Sequence, residues 1–312
     1  MFYAVAFLIL GFIILWAIDK YFQRLNNEKR ILEEKIQERI REIKIQRDEI
    51  EIQHNLIEER NNNITSSIRY ASTIQHAVLT PQDYIDTLLP ENFILSIPRD
   101  IVNGDFYWVN EKDEKIVVIV ADCTGHGVPG AFMSMLGITL LYEIVNTHGI
   151  TKPDVIVTML RERMIRSLQQ NRTDKTTTDG MDIAVCVIDR HSGILQYTGA
   201  FNDLVMVSNG KNSVLRADRI SVSASIHDAG EYTLNELKYN KGDMIYLFSD
   251  GYMDQFGGDF AKKFLRAHFY TTLLEVSDMP VSDQKKFLME KLQAWMKNHG
   301  QTDDITVMGI RL

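Results

Sequence analysis

Carboxylates interrupt the apolar runs of this 312-residue chain at one repeated kind of place. Asp105 stands between Asn103-Gly104 and the run Phe106-Tyr107-Trp108-Val109, and Asp122 closes the run that begins at Lys115. Asp250 follows the run from Met244 and precedes Gly251, while Asp303 and Asp304 precede the final run from Ile305 to Leu312. A single acid beside glycine reads as a turn or a helix cap. Four at the edges of hydrophobic strands in one domain point further, because converging carboxylates repel unless cations neutralise them. Oxygen ligands without Cys or His nearby favour hard ions such as Mg²⁺ or Mn²⁺. Two such ions about 3.5 to 4 Å apart can share a water, lower its pKa and clamp a phosphoryl group for in-line attack.

The stretch VADCTGHGVPGAFMSM, Val120 to Met135, adds a second ingredient. Gly125, Gly127 and Gly130 let the backbone pass close to ions or phosphate, and a helix beginning near Pro129 aims its N-terminal N–H groups at the anionic site. Gly125, His126 and Gly127 are therefore candidate phosphate-binding residues. A plain strand-to-helix turn needs one glycine rather than three.

These groups need a scaffold. Strands are expected at FILSI, FYWV, KIVVIVAD, MDIAVCVID, ILQYTGA, LVMVSN, DMIYLFSD and ITVMGIRL, separated by Gly, Asn and Asp turn signals. Helices are expected over GAFMSMLGITLLYEIVN, over PDVIVTMLRERMIRSLQQ, near 260–274 and near 283–298. Strand-rich sheet with paired helices is an α+β layered domain rather than a strict βαβ alternation.

Two further segments precede that domain. Eighteen uncharged residues open the chain and end at Asp19 and Lys20, close to the length of a membrane-spanning helix. No positive leader or small-residue cleavage site marks a signal peptide. Lys20, Arg24, Lys29 and Arg30 follow, so the expectation is a single-pass anchor in the inner (cytoplasmic) membrane with the remainder in the cytoplasm. Between Asn26 and Val78 glycine and proline are absent, and Ile36, Ile43, Ile50, Ile57 and Ile64 recur every seven residues, continued by Ala71 and Val78. This is a coiled-coil seam, hence an expected homodimer, although Arg47, His54 and Asn61 make its other core position polar. A solvated single helix is the alternative. Pro81 ends the segment.

Composition excludes several classes. A net charge of −8 without clustered Lys and Arg in the globular part argues against nucleic acid as a partner. Cys123 and Cys186 each sit in an apolar run and read as buried reduced thiols, and the eight histidines form no HExxH pair.

The segments IVNGDFYW, ADCTGHGVPGAFMSM, DGMDIAVCVID, FSDGYMDQFGG and DDITVMGIRL, in this order, resemble the stage II sporulation protein E family of bacterial serine/threonine phosphatases, a branch of the metal-dependent protein phosphatases. The resemblance covers about 70–312. It implies a four-layer α-β-β-α sandwich holding two Mn²⁺ or Mg²⁺ ions; together with the apolar and heptad segments, the expected domains are 1–19 (anchor), 20–80 (coiled-coil/linker helix) and 81–312 (phosphatase). By the same resemblance Asp105, Asp122, the Cys123 carbonyl, Asp250 and Asp303 are the metal and catalytic set, with Asp304 an outer partner. A weaker third ion would fall to Asp179 or Asp182, for which a turn or cap role is the alternative. The implied substrate is a phosphorylated STAS-domain regulator, and the helix SSIRYASTIQHAVLTP, with Ile68, Ile74 and His76, is the implied regulatory element.

Two departures qualify the likeness. Thr124 stands where eukaryotic relatives place a general-acid histidine, so His126 inherits no such role and orients the loop or serves structure. Their phosphate-binding arginine has no secure counterpart, Arg99 lying six residues before Asp105. Two other readings stand beside the phosphatase. HAVLTP, His76 to Pro81, copies the H-x-x-x-T-P box of sensor histidine kinases, but lacks the following acid and any nucleotide box. A degenerate phosphatase kept as a binding module is the second.

Overall fold

A computed structural model describes residues 2–170, 179–224 and 230–312. Two compact units divide the chain, Met1–Ser66 and Ser67–Leu312. The first is helix throughout, the start of α1 (Phe2–Val78). Its opening is long and apolar enough to cross a membrane by length and composition. The heptad isoleucines that follow, from Ile36 to Ile64, are exposed in the single chain.

In the second unit, α1 ends at Val78 and the short α2 (Gln82–Leu88) starts just after Pro81, whose fixed φ suits a helix entrance. The chain continues through β1 (Asn92–Ile97), β2 (Phe106–Lys112), β3 (Lys115–Cys123), α3 (Gly127–Tyr142, extended by a π turn Glu143–Thr147), α4 (Pro153–Ser167), β4 (Met181–Asp189), β5 (Ile194–Ala200), β6 (Leu204–Ser208) and β7 (Lys211–Leu215). It closes with β8 (Asn235–Lys238), β9 (Met244–Phe248), α5 (Gly251–Asp254), a two-residue hairpin pair β10 (Phe256–Gly257) and β11 (Lys262–Lys263), α6 (Arg266–Val276), α7 (Val281–Met296) and β12 (Ile305–Arg311).

Two five-stranded antiparallel sheets result, in the orders β1-β12-β9-β6-β7 and β2-β3-β4-β5-β8. One core joins them: Val118, Val120 and Cys186 of one sheet pack with Met206, Ile245, Leu247 and Met308 of the other. A second core lies between β2–β4 and α3–α4, through Val117, Ile119, Val185, Leu141 and Leu160. The third lies between β6, β9, β12 and α5–α7, through Tyr246, Phe248, Tyr252, Phe269 and Leu288. Strands such as β3 and β4 are apolar on both faces because each face meets its own core.

The expected strands and helices occur, with two differences. The helix expected near 260–274 begins only at Arg266, because Gly258, Ala261 and Leu265 adopt positive φ and turn the preceding residues into the β10–β11 hairpin. Strands β7 and β8 escaped the reading: they are short, polar edges with little buried surface, as edge strands commonly are.

Candidate active site

The acids gather because neighbouring strands run antiparallel, so the starts of β2, β4 and β12 lie beside the ends of β3 and β9. Asp105 immediately precedes β2, Asp122 is the penultimate residue of β3, Asp182 the second of β4, Asp250 follows β9, and Asp303 and Asp304 precede β12. In the β3–β4 ladder Asp122 lies directly opposite Asp182. Like charges in that position destabilise a sheet unless something neutralises them. A pocket of about 300 Å³ opens here, lined by Asp122, Asp182, Asp250, Asp303 and the segment Cys123 to His126.

Asp105 lies deeper, at 2% exposure. Its Oδ2 accepts a hydrogen bond from Ser249 Oγ at 2.5 Å, and Ser249 Oγ accepts in turn from the Thr306 N–H at 2.9 Å. Its Oδ1 is buried, with no cation paired to it among the described residues. Burial, opposed by the Ser249 and Thr306 hydroxyls and aided by Asp304 and Asp303, pushes the Asp105 carboxyl up to about 8. Asp122 is driven well above the usual carboxylate range by burial and then by Asp105, Asp250 and Asp303. Asp250 is raised by burial, then by Asp254 and Asp303, although a shared hydrogen bond with Asp122 offsets part. Asp182 rises to about 7 through burial and Asp250, with Arg219 pulling it down. All these shifts have one sense: the site has more carboxylate than its surroundings can balance.

The remaining groups shape the site rather than line it. Asp304 accepts the N–H groups of Arg99 and Gly104, both at 2.6 Å, and so ties the Asn103-Gly104-Asp105 turn to β12. Cys123 is buried and its thiol belongs to the core between sheet and helices, which leaves its main chain toward the pocket. The Thr124 N–H donates to the Gly180 carbonyl at 3.0 Å and Thr124 Oγ1 accepts from the Gly180 N–H at 3.1 Å, fixing the loop after β3 to the start of β4. Gly125 has φ +84°, a conformation suited to glycine. Gly130 serves packing instead of phosphate approach: a Cβ there would stand 2.3 Å from the Gly125 carbonyl oxygen. α3 begins at Gly127 with no side-chain cap on its first N–H groups, so these remain available to an anion. His126 Nδ1 contacts the Arg99 guanidinium and lies 3.1 Å from Asp100 Oδ2, at the pocket mouth.

Asp182, expected either as a turn or cap residue or as a ligand of a weaker third ion, lies within β4 and walls the pocket. Asp179 precedes the strand and lines neither this pocket nor its neighbour. Reasoning from sequence also missed Gln75, the one buried side chain of α1. Its Nε2 donates to the Asn103 carbonyl at 2.5 Å and to Ser134 Oγ at 2.8 Å, and its Oε1 accepts the Asn103 N–H at 3.1 Å. Of the regulatory candidates on the same helix, Ile74 and His76 are exposed and Ile68 is half-buried. No period marks a single polar side chain that turns inward. Thr80 of the H-x-x-x-T-P likeness is buried past the end of α1, where it bonds the Val109 main chain at both N–H and carbonyl.

Among the described residues, no three His, Cys, Asp or Glu side chains stand close enough to cage an ion by themselves. Fit to divalent cations rests instead on the donor set, which is all oxygen, and on the buried Asp105 Oδ1, to which no cation among the described residues is paired.

Two sheets of this topology, with helices against them and acids at their shared strand ends, define a PP2C-type phosphatase domain. The chain belongs to the stage II sporulation protein E (SpoIIE) family, whose model matches residues 112–312. The SiaA-PP2C domain of Pseudomonas aeruginosa is 31% identical with a TM-score of 0.74, covering 81% of this chain and 98% of that one. The phosphoserine phosphatases RsbP and RsbU of Bacillus subtilis (strain 168) are 22% and 26% identical over 65% and 64% of this chain. The match spans 47% of RsbP and 57% of RsbU, about half the length of these curated relatives.

Proposed function

We propose that this protein is a metal-dependent phosphatase that hydrolyses phosphoserine or phosphothreonine on a regulatory protein, with a STAS-domain substrate as the specific expectation. The observation that carries the reading is the surplus of buried carboxylate: burial and neighbouring acids raise the proton affinity of Asp105, Asp122 and Asp250, and no cation among the described residues pairs with Asp105. Mn²⁺ or Mg²⁺, two ions in this proposal, would supply the missing positive charge and the activation of water at neutral pH. Asp105, Asp122, Asp250, Asp303 and the Cys123 carbonyl would hold them, and Asp182 is better placed than Asp179 for a weaker third. The N–H groups at the start of α3 and the Gly125 to Gly127 backbone would orient the phosphoryl oxygens. Ser249, by donating to Asp105 Oδ2, would hold the carboxylate in place.

The three cores support a four-layer α-β-β-α sandwich for residues 81–312. For residues 1–19 and 20–80 the proposal is a membrane anchor and a dimeric coiled coil, which the exposed isoleucine stripe supports. The end of α1 is the proposed regulatory element, and Gln75 is its means of contact: by gripping Asn103 and Ser134 it braces the turn before Asp105 and the helix after Asp122. The activity test is phosphate release from a panel of phosphoserine proteins by the full chain in detergent, with Mn²⁺, with Mg²⁺ and with chelator. Release that needs the metal supports the reading. Metal binding without release from any substrate favours the binding-module alternative.

A further inference from the structure

A second cleft, of about 80 Å³, leaves the acid pocket through the shared walls Asp182 and Asp250 and runs between Phe201, Met253, Arg219 and Arg266. Its two arginines differ. Arg266 is committed to Asp203 at 3.2 Å, and Arg216 holds the same carboxylate at 2.7 Å from outside the cleft. Arg219 has no ion pair among the described residues; its guanidinium lies over the Phe201 ring, 5.4 Å from the centroid.

The backbone that carries Arg219 is fixed. Asp218 bridges to Ala200, its N–H donates to the Gly199 carbonyl at 3.0 Å, and its carbonyl accepts the Phe201 N–H at 2.9 Å. The Asp218 carboxylate accepts the Thr233 N–H at 2.6 Å and hydroxyl at 3.0 Å. A flexible cation is thus mounted on a braced loop and stacked on an aromatic ring, which limits the ordering cost of binding. Across the cleft its charge acts on Asp182, one of the acids that divalent ions would neutralise. With those charges balanced, Arg219 is left as the positive group one short step from the phosphate position.

We propose that this cleft is a specificity subsite in which Arg219 receives the carboxylate of an acidic residue adjacent to the phosphoserine of the substrate. The proposal rests on the phosphatase reading above. Phe201 and Met253 offer apolar surface to the side-chain stem, and the volume admits a short side chain. Successive residues of an extended peptide are about 3.8 Å apart, so the neighbour of a residue held at the acids reaches the adjoining cleft.

The test uses the full chain in detergent with Mn²⁺ and phosphoserine peptides that differ only in the residue before or after the phosphoserine: Asp, Asn or Lys. Turnover is read as kcat/KM and binding as fluorescence anisotropy of the labelled peptides. On one side of the phosphoserine the wild type is expected to favour Asp over Asn by about tenfold in both readouts, as a charge-assisted contact would give. Arg219→Ala should erase the preference, Arg219→Lys should keep part of it, and Arg219→Glu should turn it toward Lys. A wild type indifferent to the flanking residue, a preference intact in Arg219→Ala, or an equal loss for all peptides in that variant would overturn the subsite. A preference seen in binding without any turnover would retain the subsite while contradicting the phosphatase reading.

Discussion

Asp203 and Asp105 are equally buried, each at 2% exposure, and they have opposite surroundings. Asp203 receives Arg216 and Arg266, the Tyr270 hydroxyl at 2.9 Å and the Ala217 N–H at 3.0 Å. Asp105 receives hydroxyl groups and no cation, and faces other acids. A fold that can pair two guanidiniums with one buried carboxylate, yet forms no ion pair among the described residues to the acids of the site nearby, has left that charge to be balanced from solution. Structural acids are closed by the chain; the site acids are left open.

The largest effect should come from removing an open acid. Asp250→Asn is expected to lower phosphate release more than about 100-fold, the upper range of loss on removing an outer partner of a metal ligand, while circular dichroism stays unchanged. Wild-type turnover in that variant would contradict the site assignment. Closing the comparison from the other side, Asp203→Ala should destabilise the fold by about 2 kcal/mol, seen as a fall in Tm of roughly 5 °C with or without Mn²⁺, since Tyr270 and Ala217 lose a buried acceptor. Arg216 and Arg266 keep access to water, which holds the cost to that scale.

A smaller and opposite shift is expected at Asp105. Asp105→Asn removes the cost of protonating this buried carboxyl on folding at neutral pH, so the chelated protein should melt a few degrees higher than wild type and lose its response to Mn²⁺. A lower Tm in chelator would place Asp105 with Asp203 among the structural acids. The pH dependence follows the same logic. Asp105 and Asp182 titrate near 8 and 7 in the folded chain, against 3.8 for the ordinary carboxyl. Between about pH 4 and 8 the folded state therefore holds protons that the unfolded state has released, and stability must fall as pH rises through that window. Thermal melts of chelated protein from pH 5 to pH 8 should show the decline, and saturating Mn²⁺ should flatten it. A chelated Tm that rises over this range would show the acids to be already balanced.

The site was legible where chemistry interrupts a pattern. Asp105, Asp122, Asp250 and Asp303 each end or begin an apolar run, and strand ends of one sheet system meet at one edge. Asp182 was harder to read, since its position beside Gly180 resembles a turn and only the β3–β4 register sets it against Asp122. Gln75 and Arg219 carried no signal: one is a lone inward polar residue on a solvated helix, the other a lone cation in a loop, and their partners lie 28 and 18 positions away. The sheets were read from alternation and turn residues except at the polar edges β7 and β8. The hairpin before α6 was lost because backbone φ at Ala261 and Leu265 is set by packing rather than by residue type.

The most direct test of the open acids is a calorimetric titration of the full chain in detergent with Mn²⁺. Two ions per chain are expected, with at least one lost in Asp122→Asn and none lost in Asp203→Asn. A wild-type chain that takes up no Mn²⁺ would contradict the account.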